Sequence, residues 1–396
     1  MYMLDVSPRH GCMGMEVVHI MGMPRLYFLI LLWLLFSTRA SGGINEIIVF
    51  GDSLSDMGNV DETSFGLVPS DDYYDSRVFS NGAPWIRTLA LELGVTEPSY
   101  SLSGSSRATN YAYGGAQTGN GDSMFESFLI PGIGGQIDAF KADGRSFGRQ
   151  SICTLWIGGN DLNGTSSGNA QRVINSTISN LEDHLEEVIS LGAPQIVVPN
   201  LPLLGEIPQH NGNNSRRRQQ NELVIDYNAR LASLIATLRQ RHPVTRIIEV
   251  DVAGFMAELL ENPGVFGFTN VRDQAYTPGL LGGIFGGSVV SNPDEYVFWD
   301  DLHPTGPIHE LVGMMAAREV QRPPVASILE VRIADSDALI RFDSLGWVSY
   351  RVERSLDLRE WKPIGGEIPG TGSLVSITDP GAGNFPAAFY RLAMEW

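Results

Sequence analysis

The chain has 396 residues, 45 acidic against 27 basic, and a formal net charge of −18. Phosphate binding needs a basic surface, so nucleic acid and anionic membrane are excluded as partners. With 43% hydrophobic residues the chain can bury a core, and its length allows one large domain and one small one.

At the start, Arg25 precedes an unbroken apolar run, residues 26–36, and small residues surround Ala40. This pattern predicts a secretory signal peptide over residues 1–40, with translation beginning at Met21 or Met23 and the mature chain near Ser41. The run is too short for a comfortable transmembrane helix. The expected product is secreted, periplasmic or cell-surface. Removing the leader takes away Cys12 and leaves Cys153 alone in an apolar strand, so packing and not disulfides must hold the fold.

Beyond the leader, apolar runs at 46–50, 152–157, 195–199 and 245–250 read as buried strands. Between and after them, residues 173–191, 223–241, 252–260 and 308–320 repeat apolar side chains at helical spacing. Strand alternating with helix implies a parallel sheet covered on both faces, with all strand C-termini on one ligand-binding edge. The glycine-rich run 279–287 lacks a Walker lysine and reads as flexible surface loop. After Pro323 and Pro324 the patterning changes to short strands separated by Gly, Pro, Asp and Ser, which predicts a small all-β domain over 325–396 behind a domain of 41–322. Trp347, Trp361, Phe389 and Tyr390 are its expected core.

The first of these strands raises a chemical question, because it stops at Gly51 and is followed two residues later by a hydroxyl, Ser53. A nucleophile presented at a strand end needs a base. The mature chain has five histidines: His184, His210, His242, His303 and His309. His184 reads as a solvated mid-helix group, His242 sits at a helix end, and His309 lies in the first turn of the last helix. No pair has metal-ligand spacing and HExxH is absent, so no metal or cofactor is implied. His303 stands in FWDDLHPTG with Asp300 three residues before it, close enough in a turn to take the Nδ1–H and leave Nε2 free; Asp301 competes at two residues' distance. Alone, the same spacing also reads as a helix N-cap. Asn160, after Gly158 and Gly159 at another strand end, offers an amide to a developing oxyanion. The run 110–116 ends in Gly114 and Gly115, either of whose N–H groups is a second donor. Ser166 lies in a G-x-S-x-G match, but it follows a polar turn and not a strand, so it is read as loop.

Together GDSLSD at 51–56, NYAYGGA at 110–116, GGND at 158–161 and DDLH at 300–303, with FSNGAPW at 79–85 and YNARL at 227–231, resemble the GDSL family of serine esterases and lipases, the SGNH hydrolases. The resemblance covers roughly residues 45–321 with no block missing. It implies a flavodoxin-like three-layer α/β/α fold with a parallel sheet, and ester hydrolysis without a metal. Ser53 would attack the carbonyl, His303 would move the proton, and Asp300 would orient the imidazole. The Ser53 N–H, a glycine N–H (Gly115 fitting the family block better than Gly114) and Asn160 would hold the oxyanion before water releases the acyl-enzyme. The implied substrate is a small-molecule, lipid or acylated-glycan ester. The tail is similar to small β-sandwich modules of secreted bacterial proteins, which implies contact with a cell surface or polysaccharide, or a passive appendage. An acetylesterase acting on polysaccharide and a non-catalytic surface-binding protein are the competing readings.

Overall fold

The computed structural model describes residues 15–18, 30–33, 44–69, 73–105, 108–120, 130–280, 285–324 and 326–395. Chain contacts divide it into two compact units, Ile44–Arg322 and Pro323–Trp396 with Met1–Gly43. Most of the expected leader lies outside the described residues; within it the strands Met15–Val18 and Ile30–Trp33 pair antiparallel.

The larger unit is a flavodoxin-like three-layer α/β/α domain. Its strands Glu46–Gly51, Ser151–Trp156, Gln195–Pro199 and Arg246–Val250 lie in that order and all run parallel. The segment 109–113 extends the sheet outside the first strand. There Val49 N–H donates to Thr109 C=O (2.8 Å), and Tyr111 and Tyr113 N–H groups donate to Val49 and Gly51 C=O (2.8 and 3.2 Å). The spatial order is therefore the second segment, then the first, third, fourth and fifth. In such an order right-handed crossovers reverse direction once, which sends the helices to both faces.

The strands are mostly apolar because both faces are covered. Ile47, Ile48, Val49 and Phe50 are all at most 1% exposed, and such burial contributes about 1.5–3 kcal/mol for a large apolar side chain. Ile133–Ala142, Ala170–Ser190 and Asn214–Arg241 pack as one group of helices, and Trp85–Leu93 packs with Gly306–Gln321 as another. The second pair approaches closely at Gly313, where a Cβ would lie 2.6 Å from the Trp85 carbonyl oxygen. Arg246, at the start of the last sheet strand, fixes the far end of Gly306–Gln321. Its guanidinium donates to the carbonyls of Val320 (2.7 Å), Glu319 and Arg322 (both 3.0 Å), a cation on the negative end of the helix dipole.

Several elements differ from the sequence reading. The third large helix starts at Asn214, because Asn213 caps it by accepting from Ser215 and Arg216 N–H groups (3.1 and 3.0 Å). The glycine-rich run is not simply a loop. Tyr276–Leu280 and Phe285–Val289 pair antiparallel, and only 281–284 between them lie outside the described residues. Glycine lowers strand propensity, so the pairing is invisible to composition. His184 is mostly buried and not solvated, with 12% of its side chain exposed.

The C-terminal unit holds two three-stranded antiparallel sheets. Ile328–Ala334, Asp337–Asp343 and Leu374–Asp379 form one, and Lys362–Pro369, Ser349–Ser355 and Phe389–Glu395 form the other. Lys362–Pro369, with two prolines and two glycines, carried no strand signal. The shared core is Ile340, Phe342, Tyr350, Val352 and Tyr390; Phe342 and Tyr350 rings meet across it at 5.1 Å. Of the four aromatics expected there only Tyr390 is fully buried, and Trp361 lies instead under the Arg391 guanidinium at 4.4 Å.

Candidate active site

Gly51 is the hinge between the first sheet strand and the serine. Its N–H and C=O bond Oε1 and Nε2 of the fully buried Gln136, both at 2.9 Å. A Cβ there would sit 2.8 Å from the Trp156 carbonyl oxygen, so only glycine lets the neighbouring strands run side by side to this point. Beyond it the Asp52 carbonyl accepts the Ser55 and Asp56 N–H groups (both 3.0 Å), a tight turn that sets Ser53 at the C-terminal edge of the sheet.

There the Ser53 Oγ lies 2.9 Å from His303 Nε2, and His303 Nδ1 lies 2.8 Å from Asp300 Oδ2. Asp300 also accepts the Leu302 and His303 N–H groups on Oδ1 (2.8 and 2.6 Å) and the Tyr74 hydroxyl on Oδ2 (2.9 Å). Burial alone would raise the Asp300 carboxyl. The His303 charge and these donors override it and hold the group below the usual carboxylate range. Burial likewise opposes a charged His303, but Asp300, with Asp52 and Asp301 further off, carries it above the ordinary imidazole value. Asp301, the competitor, is exposed, and its carbonyl serves the Gln209 N–H (2.9 Å).

The histidine loop is clamped by the FSNG segment. Ser80 Oγ donates to the Pro304 carbonyl and the Gly306 N–H donates to Asn81 Oδ1, both at 2.8 Å. Gly82 and Gly306 approach so closely that a Cβ on Gly82 would lie 2.9 Å from the Gly306 Cα. Trp299 N–H closes the loop on the His303 carbonyl (2.8 Å).

Asn160 reaches the same edge. Gly158 precedes it with φ 112°, and a Cβ there would meet the Tyr227 hydroxyl at 2.8 Å. That hydroxyl donates to the Ile157 carbonyl (3.0 Å), so the YNARL tyrosine props up the asparagine turn. Asn160 Nδ2 spends one proton on the Ala116 carbonyl (2.9 Å), which leaves its other N–H for a ligand. Of the two glycines, Gly114 is occupied: its N–H donates to Asp56 Oδ2 (2.9 Å). Gly115, at φ 81°, has an N–H with no partner among the described residues.

Asp56 is an organiser that the sequence reading left unassigned. Its carboxylate accepts the N–H groups of Gly58, Asn59, Val60 and Gly114, at 2.7 to 3.2 Å. Burial pushes it up to about 6, still ionised at neutral pH. Asp52 accepts the Leu54 N–H on Oδ1 (3.0 Å), and burial pushes it up to about 7. Tyr74 was also missed, since nothing in DDYYD marks it as a partner of a residue 226 positions away. Ser166 is exposed in its loop, and Cys153 is a buried thiol pushed up by desolvation. Among the described residues no cluster of His, Cys, Asp or Glu is suited to a metal ion.

A cavity of about 960 Å³, counting its open mouth, begins at Ser53, Asn160 and His303. It runs between the 201–207 segment, the helix Val252–Glu261 and the start of Gly306–Gln321. His309 lines it, and burial lowers that imidazole to about 3, so it is neutral.

A doubly wound parallel sheet with its polar groups gathered at the strand C-termini defines an α/β enzyme with its site at that edge. The family model described as GDSL-like Lipase/Acylhydrolase matches residues 47–315, and the chain belongs to that family as a carboxylic ester hydrolase. It is 26% identical over 328 residues to phosphatidylcholine-sterol acyltransferase of Aeromonas hydrophila, covering 70% of this chain and 90% of that one. It is 24% identical over 357 residues to a GDSL esterase/lipase of Arabidopsis thaliana, covering 75% and 88%. Among solved structures, Axe2, an acetylxylan esterase from Geobacillus stearothermophilus, is 13% identical with a TM-score of 0.33, covering 71% of this chain and 97% of that one.

Proposed function

We propose that Ser53, His303 and Asp300 are the catalytic triad of this ester hydrolase. The observation that carries the reading is the unbroken relay from Ser53 Oγ to His303 Nε2 (2.9 Å) and from His303 Nδ1 to Asp300 (2.8 Å). His303 takes the Ser53 proton as Oγ attacks the ester carbonyl, and Asp300 stabilises the imidazolium. The oxyanion is held by the Ser53 N–H, the Gly115 N–H and the Asn160 amide. His303 returns the proton to the leaving alcohol, and water attacks the acyl-enzyme by the same route in reverse. Gly115 is chosen over Gly114 because the Gly114 N–H is already used by Asp56. We further propose that residues 1–40 are a secretory leader, on the strength of the apolar run behind Arg25, and that the C-terminal unit serves contact with a surface or polymer.

The test is Ser53→Ala, assayed on a short p-nitrophenyl ester. Loss of about 10⁴-fold or more in kcat with an unchanged fold is expected. Retained activity, or loss with Ser166→Ala instead, refutes the assignment.

A further inference from the structure

The cavity behind Ser53 is much larger than an acetyl group requires, and its wall selects against polar ligands. One side is a helical stripe, Val252, Ala253, Met256, Ala257 and Leu260, on the face that Val252–Glu261 turns to the cavity. The small side chains of Ala253 and Ala257, one turn apart, hollow that wall. The opposite sides are supplied by Leu201–Leu204, Ile207, Ile308 and Val312. Polar groups are few away from the Ser53 end. Glu206 is bound by Arg217 and by Asn221 Nδ2 (2.9 Å), and His309 is held neutral by burial. A sugar ring placed here would leave hydroxyls without partners, at a cost that an alkyl chain does not incur.

We infer that this cavity holds the acyl chain of the substrate, a straight aliphatic chain of medium to long length, and that Ala253 and Ala257 set how much of it is accepted. This rests on the triad reading above. The acyl group is chosen over the alcohol because it stays joined to Ser53 Oγ after the alcohol has left, and the apolar enclosure starts at that oxygen. Burial of each methylene then raises kcat/KM by about fourfold until the cavity is filled.

The experiment measures kcat/KM of the full-length protein on p-nitrophenyl esters with acyl chains of about two to twelve carbons, beside alkyl acetates of matching length. A steep rise with acyl length and a flat alkyl-acetate series are expected. Ala253→Phe should move the preferred acyl length down by several carbons. Ala257→Phe, at a more exposed position that tolerates bulk, gives a second reading if the first variant folds poorly. A flat acyl series, a rise with alkyl length in its place, or an unchanged chain-length profile in a folded Ala257→Phe and Ala253→Phe pair overturns the inference. In those cases the triad stands as long as Ser53→Ala removes hydrolysis of the short ester. Hydrolysis that survives Ser53→Ala overturns the triad reading, and with it this one.

Discussion

Asp52→Asn should stabilise the protein, and the gain should depend on pH. Asp52 is 4% exposed, and the Leu54 N–H on Oδ1 and the nearby His303 charge offset only part of the cost of taking its carboxyl out of water. Burial raises it from the ordinary 3.8 to about 7. A carboxyl whose folded-state pKa is raised binds its proton more tightly in the folded state. Stability is therefore fully present below about pH 4 and is lost as pH rises through about 7. At 1.36 kcal/mol per pH unit, the interval corresponds to about 4 kcal/mol above neutrality. Asparagine keeps an Oδ1 for the Leu54 N–H and cannot ionise. Urea unfolding by circular dichroism should give nearly equal midpoints for the two proteins at pH 4, with the variant pulling ahead by up to about 4 kcal/mol at pH 8. Catalysis should shift as well. An ionised Asp52 helps raise His303, so the acid limb of kcat/KM should move to lower pH in the variant. A stability difference that is the same at pH 4 and pH 8 would refute the claim that Asp52 is a buried, strained acid. A wild type that is the more stable at pH 8 would refute it more strongly.

Two further substitutions probe the groups around the serine. Asn160→Ala should lower kcat by about 10²–10³ with little change in KM, as expected for loss of one oxyanion donor; an unchanged kcat in steady-state assays removes Asn160 from the mechanism. Tyr74→Phe takes one donor from Asp300, whose charge then acts more strongly on His303. The acid limb of kcat/KM should move to higher pH while the plateau falls less than about tenfold, and an unmoved limb would assign Tyr74 to packing alone.

Much of the candidate site was readable because its chemistry is local in sequence. Strand periodicity ending in glycine marks where Ser53 and Asn160 emerge, and the three-residue step from Asp300 to His303 is short enough for a turn to close. Four parallel strands and the helices between them follow from apolar patterning in the same way. Other features depended on groups far apart in the chain. Gly114 and Gly115 are indistinguishable as letters, and only an acceptor 58 residues away, Asp56, uses one and leaves the other. FSNG and YNARL were visible as words without a job until Asn81 met Gly306 and Tyr227 met Ile157. Burial of Asp52 and the apolar cavity walls arise where the 201–207 segment and two late helices meet the first strand's end, and the Tyr74 bond to Asp300 joins residues 226 positions apart. Residue order by itself determined which groups stand at the strand ends, since backbone periodicity is a property of neighbours. Which of those groups are dry, paired or free was decided only by tertiary packing, because desolvation and hydrogen-bond partnership belong to the space around a side chain and not to its place in the chain.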